Sequence, residues 1–363
     1  MSKIFADGHV LGARYEIRHF LDAGGMQEVY VSQDTLLNRL VALKTPFNNS
    51  AEKRFQRSAE LAARINHPNV AKTMDFFVEN GRQILVEELV VGKSVEKQLT
   101  EDYAHFDPHL LARFGHHFSK AIQASHHVDV VHRDLKPSNI MVETIGAECC
   151  FKVTDFGIAR LVESELEGAV DDEGSIGTAG SSTIVGALPY MAPELIENPK
   201  TSDKPADIWA FGAILYRLLS GATPYGTGLA AVPKIYAAEP PNKPIHIDRV
   251  LQFKSLANEL WNVSLSCLKK NPEERPTASE LAERFASLTY ATGPRKTGSV
   301  QSFRPKGHPW GMLSDGSKSY FFHQDSFYGD PSTIAIGLPV EWCSYPGGKL
   351  DRAHPVVPIK PQK

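Results

Sequence analysis

This chain of 363 residues is short of several things. Its four cysteines, Cys149, Cys150, Cys267 and Cys343, include no Cys-x-x-Cys pair. They are too sparse for a disulfide framework and point to a reducing compartment. No run reaches the roughly 18 uncharged apolar residues of a membrane helix; the best stretch, Ile208 to Leu219, is short and interrupted by Arg217. Met1 to Gly8 lacks the apolar core of a signal peptide. These absences predict a cytoplasmic protein. A strong charge of one sign is also missing, because the net charge is only −3. Residues 293–363 nevertheless carry nine Lys/Arg against five Asp/Glu, +4, which leaves −7 for residues 1–292. An apolar share of 42% and a charged share of 22% fit a globular chain, long enough for two or more domains.

What is present centres on His132-Arg133-Asp134-Leu135-Lys136-Pro137-Ser138-Asn139. Asp134, Lys136 and Asn139 stand at fixed offsets on a loop between apolar runs, a pattern suited to gripping a hydroxyl, a phosphate and a metal ion together. Upstream, the strands Tyr15–Leu21 and Glu28–Val31 flank Asp22-Ala23-Gly24-Gly25-Met26, and the strand Leu40-Val41-Ala42-Leu43 ends in Lys44. Alone, the glycine pair reads as a hairpin turn and the lysine as a snorkelling strand end. Helical spacing marks Ala51 to Asn66, which stops at His67-Pro68. A hairpin turned at Asn80-Gly81 then leads to Glu87-Glu88-Leu89-Val90. Asp107-Pro108 opens a helix running to about His127. Its pairs His116-His117 and His126-His127 point to different sides of that helix, which argues against a metal site. Asp155-Phe156-Gly157 follows a strand, and Ala192-Pro193-Glu194 follows a long acidic, then Gly/Ser/Thr-rich stretch.

In this order the motifs resemble those of protein kinases over residues 9–290. The resemblance implies a bilobal α+β kinase fold using ATP and Mg²⁺. Asp134 would orient the substrate hydroxyl, Lys136 would stabilise the moving phosphoryl group, and Asn139 with Asp155 would hold the metal. Gly24, Gly25 and Lys44 would cover and pair the phosphates. Leu21, Val29, Ala42 and Met141 would sandwich the adenine, with Glu88 and Val90 on the hinge. Glu87 falls at the gatekeeper position, where an apolar side chain is usual. The lysine two residues after Asp134 resembles the serine/threonine class. Thr178, Ser181, Ser182 and Thr183 lie in the activation segment as candidate phosphorylation sites, with Arg133 as the cation to hold a phosphate. Glu194 would pair with Arg275, and Asp207 would brace the catalytic loop.

Three positions depart from the pattern. Asp22 replaces the first glycine, Ser58 stands where a helix glutamate should pair with Lys44, and Ala187 replaces a threonine expected near Asp134 and Lys136. Glu60 lies about 200° around the helix from Ser58 and cannot simply substitute. A weakened kinase or a pseudokinase serving as a nucleotide-binding scaffold is therefore the alternative.

Past Gly293-Pro294 the segments Lys296–Gly307, Trp310–Leu313, Tyr320–His323, Gly337–Trp342 and Ala353–Ile359 read as five short strands. Residues 295–361 resemble a cold-shock domain, a small OB-type barrel. Trp310, Phe321 and His323 would then stack on single-stranded RNA or DNA, although a small barrel also needs about half its aromatics for its core. Ser302 and Met312 replace two aromatics of that pattern. A nucleic-acid-binding regulator, or a barrel for protein contacts or autoregulation, completes the set of expectations.

Overall fold

The computed structural model describes residues 3–23, 27–47, 52–145, 148–156, 186–198 and 203–360. The first unit is a sheet of β1 (Val10–Leu11), β2 (Tyr15–Ala23), β3 (Gln27–Asp34), β4 (Arg39–Pro46), β5 (Thr73–Glu79) and β6 (Arg82–Glu88), ordered β1-β2-β3-β4-β6-β5. Asn80 and Gly81, both at positive φ, make the tight turn between β5 and β6. Side chains alternate across the sheet. Tyr30, Val41, Leu43, Ile84 and Val86 build one apolar core with Tyr15 and Ile17. The opposite face must therefore carry Gln27, Val29, Ala42, Lys44, Leu85 and Glu87. On that face α1 (Glu52–Ala62) packs through Phe55 and Ala59 onto Leu85, with Phe76 beside it.

After β6 the chain enters β7 (Gly92–Ser94), which pairs with the hairpin of β8 (Ile140–Ile145) and β9 (Glu148–Val153). Gly92 is demanded there, because a Cβ would sit 1.8 Å from the Val142 carbonyl oxygen. The rest of this lobe is helical: α2 (Pro108–His127), α3 (Lys204–Ser220), α4 (Leu251–Cys267) and α5 (Ala278–Ala286) share one large core. Their ends follow capping chemistry. Asp107 caps α2 by accepting from the His109 and Leu110 N–H groups, Gly221 ends α3 at φ 81°, and Thr277 with Glu280 forms a capping box on α5.

The chain then forms β10 (Arg295–Arg304), β11 (Trp310–Ser314), β12 (Ser319–His323), β13 (Pro339–Tyr345) and β14 (Arg352–Pro358). They close into a barrel ordered β10-β11-β12-β14-β13, with β12 and β14 parallel. Val300, Leu313, Tyr320, Phe322, Val340, Trp342 and Val356 fill it. The alternation sends Phe321 and His323 outward, where Phe321 stacks on Trp310 at 5.7 Å.

The barrel is joined firmly to the helical lobe. Tyr328 and Val357 belong to that lobe's core, and His354 stacks on Phe253 at 5.2 Å. Arg295 reaches the cap residue Asp107 at 2.6 Å and Glu341 at 3.2 Å, while the Tyr103 hydroxyl donates to Glu341. Lys360 Nζ donates to the carbonyls of Leu99 and Thr100. Among the described residues no helix is long and apolar enough to cross a membrane.

Candidate active site

The catalytic-loop residues come together just ahead of β8. Lys136 Nζ donates to Asp134 Oδ2 at 2.8 Å, and Asn139 Nδ2 donates to the Asp134 carbonyl at 2.9 Å and to its Oδ2 at 3.2 Å. Asp134 thus presents an oriented carboxylate with a cation against it. The loop backbone is held in an uncommon shape, with Arg133 at φ 70°. Buried Asp207 enforces this shape: its Oδ1 accepts the Arg133 N–H and its Oδ2 the His132 N–H, each at 2.8 Å. His126 Nε2 lies 2.9 Å from the same carboxylate. Despite burial, these partners hold the Asp207 pKa below the usual aspartate range. The brace expected of Asp207 is present. The Arg275 guanidinium likewise forks onto Glu194 at 2.6 and 2.9 Å.

Asp155, at φ 61°, closes the site from the end of β9. The Thr154 hydroxyl lies 3.2 Å from both Asp155 Oδ2 and the Asn139 carbonyl, linking the two expected metal ligands. Asp155 Oδ1 accepts from Lys44 Nζ at 2.7 Å and from Gln27 Nε2 at 3.2 Å. Lys44 makes a second ion pair, 2.5 Å to Glu87 Oε2. Burial alone would push the Lys44 ammonium down, but the charges of Asp155 and Glu87 keep it above the ordinary lysine value. Asp155 is partly buried, which would raise it, and still lies below its ordinary value because Lys44 faces it. Glu87 is raised by burial, which Lys44 only partly offsets and Asp155 reinforces.

The other residues expected at a nucleotide site are distributed as the strand order dictates. Ala42 pairs across the ladder with Glu87, and Val29 with Lys44, so both lie on the cleft face. Leu21 is half exposed, Val90 is buried beyond β6, and Met141 is on β8 opposite Ser94. The Glu88 side chain is committed to Lys152, which also reaches Glu143 at 3.1 Å, and this ties the hinge to the floor hairpin. Gly24, Gly25, Thr178, Ser181, Ser182 and Thr183 lie outside the described residues. Asp22 is exposed, and its Oδ1 accepts the N–H of Ala23. Ala187 is buried with Leu188 and Met191, an apolar nest in place of the expected hydroxyl. The helix histidines are used locally, His126 on Asp207 and His117 accepting the Phe151 N–H.

Two features are not apparent from the motifs: the contact of Gln27 with Asp155 and the pairing of Glu87 with Lys44. Gln27 occupies the last glycine position of the G-x-G-x-x-G-x-V pattern, which counting five residues on from Asp22 would have revealed. Glu87 was noticed as an odd gatekeeper, but its partnership with Lys44 depends on the β4–β6 register, which no local pattern encodes.

The donor set suits a hard cation: the Asp155 carboxylate and the Asn139 side chain supply oxygen, as Mg²⁺ requires. Beside them the Gln27 Oε1 atom is buried without a hydrogen-bond partner. The residues present therefore fit the ion.

Residues 15–285 match the model of the protein kinase domain family. The chain belongs to the protein kinase family. The chain is 33% identical over 291 residues to the protein named probable serine/threonine-protein kinase PknB of Corynebacterium glutamicum, covering 77% of this chain and 43% of that one. It is 34% identical over 242 residues to serine/threonine-protein kinase PkaA of Streptomyces coelicolor, covering 66% and 40%. With PrkC of Bacillus subtilis the identity is 30% over 223 residues, covering 60% and 32%. The chain thus spans less than half the length of these curated relatives.

Proposed function

We propose that the chain transfers the γ-phosphoryl group of ATP to serine or threonine hydroxyls of proteins. The observation that carries this reading is the intact cluster of Asp134, Lys136 and Asn139 on a loop held by Asp207, with Asp155 and Lys44 facing it. In such a reaction the protein mostly positions groups and neutralises charge. Asp134 accepts or orients the hydroxyl proton. Lys136, already against Asp134, moves onto the migrating phosphoryl oxygens, and Lys44 pairs with the phosphates above. Asn139 and Asp155 would hold Mg²⁺, which when bound neutralises charge on the phosphate oxygens. Leu21, Gly24, Gly25, Val29, Ala42, Glu88, Val90 and Met141 form the nucleotide site in this reading. Autophosphorylation at Thr178, Ser181, Ser182 or Thr183 is part of it.

Purified protein incubated with labelled ATP and Mg²⁺, beside Asp134→Asn, tests the proposal. Labelling and phosphate mass additions in the parent alone are expected; equal signals in both would sink it. A parent that binds ATP without transfer would instead favour the scaffold.

The barrel supports a second reading as an OB-type, cold-shock-like module for single-stranded nucleic acid. Trp310 and Phe321 stack on its outer face, Arg304 lies 5.1 Å over the Trp310 ring, and His323 follows Phe321 by two residues on the same face. Oligonucleotide binding that weakens with salt and is lost in Phe321→Ala is expected. Salt-insensitive binding that survives Phe321→Ala would count against it.

A further inference from the structure

The N-lobe departs from the family at Ser58, yet Lys44 is fully paired. Ser58 is buried on the sheet-facing side of α1, where the family's glutamate would stand. Glu60, the carboxylate nearest in sequence, is exposed and accepts from Gln56 one helical turn away. The carboxylate at Lys44 comes instead from the neighbouring strand. In the β4–β6 ladder Ala42 pairs with Glu87 and Lys44 with Leu85, so Lys44 and Glu87 are diagonal neighbours on one face. Their side chains are 6% and 4% exposed and meet at 2.5 Å.

We propose that Glu87 has taken over the task of the helix glutamate and positions Lys44 from within the sheet, so that a productive Lys44 does not depend on where α1 stands. This rests on the nucleotide-site reading above. A pair formed across two hydrogen-bonded strands has its geometry set by the ladder, whereas a pair between helix and sheet changes whenever the helix shifts. α1 is seated by apolar contacts of Phe55 and Ala59 with Leu85 and Phe76, which fix its distance from the sheet more than its register. The kinase therefore carries the lysine–carboxylate pair as a permanent part of its sheet. The same residue puts a charged group, tied to Lys44, on the cleft face opposite Ala42.

The test uses the full chain and four variants: Glu87→Gln, Glu87→Leu, Ser58→Glu, and Glu87→Leu with Ser58→Glu. The readouts are the Kd for Mg·ATP by calorimetry, kcat and KM for ATP separately, and the melting temperature. Glu87→Leu is expected to raise Kd and KM about tenfold. Glu87→Gln, which keeps size and hydrogen bonding but not charge, should do the same to a lesser degree and covers the case in which Glu87→Leu does not fold. Restoring a helix carboxylate in the double variant should recover at least threefold of the lost affinity, while Ser58→Glu alone changes Kd less than twofold. A Glu87→Gln protein with the parent's Kd, KM and kcat would overturn the proposal. So would a folded double variant no better than Glu87→Leu. If the parent binds Mg·ATP but transfers no phosphate, only the kinase reading falls, and the Kd series still decides the role of Glu87.

Discussion

The two sides of the catalytic cleft have diverged unequally. On the helical side Asp134, Lys136, Asn139, Asp155, Asp207, Glu194 and Arg275 stand in the family's pattern, joined by hydrogen bonds of 2.6 to 3.2 Å, and the departure there is Ala187 in its apolar nest. On the sheet side Asp22, Gln27, Ser58 and Glu87 all differ from it, yet Lys44 still faces Asp155. The contrast follows from what each side must do. The helical side holds a loop in an uncommon backbone shape through a network in which donors such as Asn139 and Thr154 each reach two acceptors, so one substitution disturbs several bonds. The sheet side must fix one ammonium near phosphates, and any carboxylate in reach meets that need.

The comparison can be sharpened at its strong end first. Asp134→Asn should lower kcat about 10² to 10⁴-fold with little change in the Kd for ATP, as single-turnover phosphotransfer beside calorimetry would show. A loss confined to ATP binding would mean that the two sides are not divided in this way.

Acid should separate the helical side from the barrel that leans on it. His105 and His246 stack at 4.1 Å at this junction, and His109 and His354 lie edge to face at 5.2 Å, all against Phe253 or Tyr328. Burial pushes His105 and His354 down to about 4 and lowers His109 and His246. The charged groups facing them are Asp107, already committed to Arg295, and Arg249. The docked state thus binds fewer protons than the undocked one. Its stabilisation is complete above the ordinary histidine value of about 6.5 and drains away as pH falls towards about 4. Asp207 runs the other way in timing. Its depressed pKa keeps the catalytic brace intact down through the usual aspartate range near 4, and the brace is lost only below it. Limited proteolysis between residues 288 and 295, followed from pH 7 to pH 3 beside activity regained at neutral pH, should show the barrel released first. Coincident loss of both below pH 4 would contradict this.

The smallest effect belongs to the tolerant sheet side. Gln27→Gly, which restores the family's glycine, removes one amide donor from Asp155 and should change KM for ATP by no more than about fivefold. A hundredfold loss would show that Gln27 is a required ligand.

Much of this was legible in sequence because it is local. The Asn80-Gly81 turn and the Asp107-Pro108 helix start are chemistry between near neighbours, and each lies where the residues indicate. The five strand segments of the tail match β10 to β14 closely, because apolar runs separated by turn residues such as Asp315-Gly316 are local signals, even though β13 and β14 break strict alternation. The Glu87–Lys44 pair was not legible. Residues 43 positions apart meet only once the ladder register is set, and a lone glutamate in an apolar strand reads as an irregularity. The junction was hidden for the same reason: a tail that reads as a separate unit gives no sign that Tyr328 will enter another lobe's core.

That junction bears on how the molecule came to be one piece. The first strand residue of the barrel, Arg295, neutralises the residue that starts α2, Asp107, whose own side chain is 0% exposed. A chain ending after α5 would uncover Phe253, which packs on Tyr328 and His354, together with that carboxylate. The barrel therefore covers part of the helical lobe's core, and purification of residues 9–290 should keep residues 295–360 with them.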